Sequence, residues 1–89
     1  MMQLNIITAE MNKQEDGTYI GKTVFQVETH KVNYEVTFFS KRGNDWDYSL
    51  HFAGEPGDEE QFLLVDAYIE QNDEAFDSLL DAAWDNLPE

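Results

Sequence analysis

The chain has no cysteine, so neither disulfides nor thiolate metal sites can brace it, and nothing in it points to an oxidising compartment. Long apolar runs are missing too: none approaches the roughly 18 residues that a membrane span needs. Before Lys13 there is no Lys or Arg and only a short apolar stretch, whereas a signal peptide needs a charged region and a longer apolar one. A cytoplasmic protein is the expectation. Histidine is confined to His30 and His51, too few ligands for a zinc site without cysteine. The segment Asn44-Asp45-Trp46-Asp47 lacks the glycine and the remaining ligands of a calcium loop, and no Gly-rich phosphate loop is present. No catalytic residue, cofactor or metal is therefore assigned.

Positive charge is the scarcest property of the second half of the chain. Lys13, Lys22, Lys31, Lys41 and Arg42 are the only cations besides histidine, and all lie in the first 42 residues. Five of the 19 acids lie there as well, which leaves residues 43–89 with the other 14 acids and no Lys or Arg; the net charge is −14. Nucleic acids and anionic membranes are recognised through cationic patches. Neither is expected as a direct partner, and a basic protein surface is favoured.

What is present is a foldable composition. With 42% apolar and 13% aromatic residues, the chain is too apolar for a disordered acidic tail, and its length suits a single domain. So small a domain buries a limited share of its surface, so the expected core is one sheet–helix layer rich in Phe, Tyr and Trp, in a monomer or a homodimer. Residues 1–54 read as mainly β, and 55–89 as acidic and mainly helical.

Gln3–Met11 reads as a first strand with Leu4 and Ile6 on one face, and the polar stretch NKQEDG turns the chain at Asp16–Gly17. Thr18–Thr29 reads as a second strand with Thr23, Phe25 and Val27 on one face and a bulge at Gly21. Alternation is clearest in the third, where Val32, Tyr34, Val36 and Phe38 oppose Asn33, Glu35, Thr37 and Phe39. In the fourth, Trp46, Tyr48, Leu50 and Phe52 oppose Asp47, Ser49 and His51. Short connections rich in Gly, Asn and Asp predict an antiparallel meander.

After the loop Gly54–Gly57, Asp58 and Gln61 have the spacing of a capping box, and Glu59 and Glu60 suit the helix dipole. At about 100° per residue, Phe62, Leu64, Val65, Tyr68, Ile69, Phe76, Leu79, Leu80, Ala83 and Leu87 fall within one arc, with Leu63 and Ala67 outside it. That pattern predicts one helix over 58–87, or two that meet near Asn72. Leu63, Val65, Ala67 and Ile69 also alternate as a fifth strand would, with Asn72 or Asp73 then capping a single C-terminal helix. Either way the fold class is α+β, a small antiparallel sheet packed against a C-terminal amphipathic helix or helix pair.

On that helix Asp73, Glu74, Asp77, Asp81, Asp85 and Glu89 occupy the face opposite the apolar residues, joined by Asp66 and Glu70 if the helix extends back. Four-residue spacing puts successive carboxylates about 6 Å apart along the axis. Like charges so placed destabilise a helix by about 0.2–0.5 kcal/mol per pair, and a merely solubilising face would gain from interspersed lysine. The expected function is therefore non-enzymatic: an inhibitor, an immunity-type partner or a nucleic-acid mimic that docks on a basic protein surface. The residues expected to make that contact are Asp66, Glu70, Asp73, Glu74, Asp77, Asp81 and Asp85, with Trp84 at the border as an apolar anchor. The column is sparser than duplex DNA, which carries one charge per about 1.7 Å of axis. A DNA-like surface would therefore also draw on Asp45, Asp47, Glu55, Asp58, Glu59 and Glu60.

Two other expectations compete. The acidic face could be only solvated, with self-association or an accessory-subunit contact made by the sheet through Phe25 and Phe39. Alternatively, Asp47, Ser49 and His51 are the residue types of a hydrolase triad. Residues two apart on a strand stand about 6.6 Å apart along it, against the 3 Å or so that a nucleophile and its base require, which argues against catalysis.

Overall fold

The computed structural model describes residues 3–87. Four strands, β1 (Leu4–Lys13), β2 (Tyr19–Val27), β3 (Asn33–Ser40) and β4 (Asp47–Phe52), precede two helices, α1 (Glu59–Gln71) and α2 (Asp73–Trp84). The sheet order is β1-β2-β3-β4 with every neighbouring pair antiparallel, the meander that short connections dictate. In the first hairpin, Gln14 N–H donates to Thr18 O (2.7 Å) and Gly17 N–H to Gln14 O (3.0 Å). Gly17 sits at φ +90°, which costs little without a Cβ. The Asp16 carboxylate accepts from the Thr18 hydroxyl (2.7 Å) and N–H (3.0 Å), and these bonds, the hydroxyl's first, hold its pKa below the usual carboxylate value.

One face of the sheet forms the core. Thr23, Phe25 and Val27 of β2, Tyr34, Val36 and Phe38 of β3, and Leu50 of β4 are buried, as strict alternation requires. Strand β1 departs from that regularity. Its register shifts between Ile6 and Thr8, so the irregularity expected at Gly21 lies instead in the neighbouring strand. The extra residue, Ile7, is 51% exposed, and the shift brings Ala9 and Met11 opposite Thr23 and Gly21 on the core face. Gly21 has a different purpose: a Cβ there would stand 2.6 Å from Met11 Cε and 2.8 Å from the Glu10 carbonyl oxygen. Its missing side chain makes room for Met11, which is fully buried.

Residues 63–69 belong to a helix, so the fifth-strand reading is overturned. Asp58 decides the matter locally, since its Oδ1 accepts from Glu60 N–H (2.8 Å) and Gln61 N–H (3.3 Å) and so caps α1. The single long helix is overturned as well. Asn72 has extended backbone (φ −125°, ψ 99°), and its side-chain oxygen accepts from Ala75 N–H (3.1 Å), which ends one helix and caps the next. Once the phase breaks there, each helix sets its own buried line: Val65 and Ile69 in α1, and Ala75, Leu79 and Ala83 in α2. Leu64, expected inside, is 62% exposed, because the single arc spans two helices whose phase is broken at Asn72.

Both helices cover the same sheet face. Phe62 of α1 packs on Phe52 (ring centroids 4.9 Å apart) and Tyr34 (6.4 Å). Helix α2 lies across β1 and β2, where the buried Thr23 hydroxyl donates to Leu79 O (2.8 Å), and it reaches β3 through Phe76, whose ring meets that of Phe38 edge-on at 5.5 Å. The opposite face stays open, with Lys22 at its centre bridging Glu10 (3.4 Å) and Glu35 (3.7 Å). Among the described residues, no helix is long and apolar enough to cross a membrane.

Candidate functional site

Helix α2 projects its carboxylates where the four-residue spacing demands. Asp73, Glu74, Asp77, Asp81 and Asp85 are all exposed, on the side away from the buried line Ala75, Leu79 and Ala83. Glu89, the last member of the column, lies outside the described residues. Among the described residues the only ion pairs are those of Lys22, so no cation neutralises any of these groups. Their positions along the helix are unequal in energy. Asp73 and Glu74 occupy the first turn, where the helix dipole favours negative charge. Asp81 in the last turn and Asp85 at the C-cap sit at the opposite end, where the dipole opposes them, and no basic residue occupies that turn.

Trp84 closes the column against an aromatic group. It is 39% exposed, with its ring 5.2 Å from Tyr19 and 5.8 Å from Trp46. Most of its surface is thus spent on packing, and the exposed 39% remains beside Asp81 and Asp85. The Lys13 ammonium lies 5.7 Å from the centroid of the Tyr19 ring and, among the described residues, pairs with no carboxylate.

The break at Asn72 removes Asp66 from the outward column. Asp66 is half-buried and turned toward the sheet, where the Tyr48 hydroxyl donates to its Oδ1 across a long 3.4 Å. Glu70 lies one turn further along α1 and lines the same hollow. Burial first, then the charges of Asp66 and Glu70, push the Tyr48 hydroxyl up to about 12. The acidic residues therefore form two groups: an outward line on α2, and an inward-leaning line on α1 that faces strand β4. Glu59, named above only as a reserve for a DNA-like surface, belongs to the second line, and the apolar Leu63 stands beside it. The signal that joins Glu59 to that line is the phase of α1 taken alone, since Glu59, Phe62, Asp66 and Glu70 recur at three- and four-residue spacing.

Two further candidates change in character. Phe25 is fully buried, so it offers no outer contact; the open sheet face instead pairs Phe39 (37% exposed) with Ile20 (42% exposed) across strands. Ser49 Oγ and His51 Nε2 stand 2.9 Å apart, within hydrogen-bonding reach, so the spacing objection to a nucleophile–base pair fails. Backbone rise alone misjudged it, because the imidazole is long enough to lean back along the strand. What is missing is the third member. Asp47 is four residues from His51, about 13 Å along the strand, and makes no hydrogen bond to it among the described residues. Both Ser49 and His51 are exposed. Among the described residues, no three His, Asp or Glu side chains group as a metal site requires.

What fold and surface define is a class: a small acidic α+β domain with a four-stranded meander on a helix pair. No family model, no curated protein and no solved structure matches the chain.

Proposed function

We propose that this is a non-enzymatic binding protein whose acidic α2 face docks on a basic surface of another protein, as an inhibitor, an immunity-type partner or a nucleic-acid mimic. The observation that carries this reading is the run of exposed carboxylates, without an ion pair among the described residues, that continues to the C-terminal end of α2. Solubility alone would be served at less cost by alternating charges. Trp84 supplies an anchor of the type enriched in interface hot spots, and the charge steers the encounter.

Capture from host lysate at low salt, with the retained protein identified and then purified for direct titration, tests the reading. Wild type should bind a basic protein whose affinity falls steeply with salt, and Asp77→Asn/Asp81→Asn/Asp85→Asn should lose it. A purified partner bound equally by both versions, at low and high salt alike, sinks the proposal. The cross-strand pair Ile20 and Phe39 favours a second reading, self-association through the open sheet face. A stable oligomer at high salt that Phe39→Ser dissolves would support that reading, and a strict monomer would end it.

A further inference from the structure

Strand β4 is an edge of the sheet, and among the described residues its outer backbone is unpaired. Ala53 N–H donates to Asn33 O (3.0 Å), and the register pairs Tyr34 with Phe52, Val36 with Leu50 and Phe38 with Tyr48. Antiparallel pairs alternate between bonded and non-bonded, so Asp47, Ser49 and His51 exchange hydrogen bonds with β3. The N–H and C=O groups of Tyr48, Leu50 and Phe52 point outward, without partners among the described residues. The other edge is protected: β1 carries its bulge at Ile7 and ends in Lys13, two devices that discourage strand addition. Strand β4 has neither.

Helix α1 runs beside this open edge and makes it a groove. Leu50, Phe52, Phe62, Leu63 and Glu59 help line one hollow of about 410 Å³. Leu50 and Phe62 also line a second, of about 360 Å³, together with Tyr48, Asp66 and Glu70. The middle is apolar, with Leu63 64% exposed on its wall, and carboxylates stand at both ends.

We propose that the β4–α1 groove takes an extended basic segment of a partner protein as an added strand, an apolar side chain seating between Leu50, Phe62 and Leu63 and flanking cations meeting Asp66 and Glu70 at one end and Glu59 at the other. This rests on the basic-partner reading above and gives that partner a second contact. In strand addition the main-chain bonds hold the segment and alternate side chains select it; cations two residues either side of an apolar one would reach the two ends, at about 6.6 Å per step. Charge chooses the occupant. A second copy of this chain would bring Glu59, Asp66 and Glu70 against themselves on a body of net charge −14, whereas a basic segment neutralises them. Burial raises the Tyr48 pKa most, and the negative charges of Asp66 and Glu70 raise it further.

The probe is the blocked peptide Thr-Lys-Thr-Leu-Thr-Lys-Thr, titrated at low salt into the full chain and followed by amide shifts and hydrogen exchange. Shifts should concentrate in β4 and α1, and the amides of Tyr48, Leu50 and Phe52 should become protected. Asp77→Asn/Asp81→Asn/Asp85→Asn should bind the peptide as wild type does. Leu63→Lys, at an exposed position that leaves the core untouched, should bind about tenfold more weakly. A fully N-methylated copy of the peptide should not bind. Shifts confined to α2, equal binding of the N-methylated peptide, or no binding at millimolar concentration would each overturn the proposal. So would a concentration-dependent dimer that already protects those three amides, which would assign the edge to a second copy. A purified partner that depends on Asp77, Asp81 and Asp85, beside a peptide that ignores β4, would remove this proposal and leave the α2 reading standing.

Discussion

Replacing Asp81 by lysine asks whether α2 carries its carboxylates against its own stability. Asp81 is exposed in the last turn, four residues after Asp77 and four before Asp85, and none of the three has an ion pair among the described residues. The substitution turns two i,i+4 repulsions into attractions. Each repulsion lost and each attraction gained contributes about 0.2–0.5 kcal/mol, so the two pairs together stabilise by about 0.8–2 kcal/mol. The pair with Asp77 is the stronger, because there the acid precedes the cation. A cation in the last turn also meets the dipole favourably, by about 0.3–1 kcal/mol. These contributions overlap and the lysine loses side-chain entropy, so the expected net gain at low salt is about 1–2 kcal/mol. In a domain of this size each kcal/mol raises the melting temperature by about 4–8 °C.

Urea unfolding of wild type and Asp81→Lys at low and high salt measures this directly. The gain should shrink markedly at high salt, since exposed pairs are screened within a Debye length of about 3 Å at 1 M. The same variant should bind the basic partner less well, so one substitution would stabilise the fold and weaken the function. An unchanged or lower urea midpoint at low salt would refute the reasoning, because the column would then cost the helix nothing and its retention would need no function to explain it.

Other substitutions test the packing beneath. Gly21→Ala drives a Cβ into the Glu10 carbonyl oxygen of the paired strand, which cannot swing aside as Met11 can, and should cost about 1–3 kcal/mol in urea unfolding. Thr23→Val keeps the shape but deletes the buried hydroxyl that donates to Leu79 O at 2.8 Å; a loss of about 1 kcal/mol, with faster hydrogen exchange in the middle of α2, is expected. In alkali, Tyr48 in the fold keeps its proton to about 12, while in the unfolded chain it ionises near 10 or so. The unfolded state therefore releases its proton first, so this contribution is complete below about pH 10 and is lost as pH rises toward 12. Tyr34, raised by burial and then by the Asp58 charge, acts in the same direction. Urea midpoints measured across that window should fall less steeply for Tyr48→Phe, and identical slopes would contradict the environment assigned to Tyr48.

Local pattern was enough for the sheet. Alternation in 32–39 and 46–52 put Tyr34, Val36, Phe38 and Leu50 inside, because a strand's side-chain period is two whatever lies beside it, and short polar connections left the meander as the economical order. The acidic line on α2 was equally legible, since four-residue spacing on a helix needs no knowledge of the rest of the fold. Where neighbouring elements decide, pattern was insufficient. The bulge at Ile7 follows from how β1 must match β2, and Gly21 from the volume of Met11 across the strand pair. The exposure of Leu64 turned on the extended backbone of Asn72, which breaks the phase between α1 and α2.

Sequence by itself determined the charge asymmetry, the fold class and the carboxylate column, all of which arise from composition and period along one element. Tertiary structure alone decided that Asp66 turns to Tyr48, that Ser49 meets His51, and that α1 lies along the free edge of β4. Those are relations between side chains or elements whose relative placement comes from packing and side-chain reach, and periodicity within one element carries no information about either.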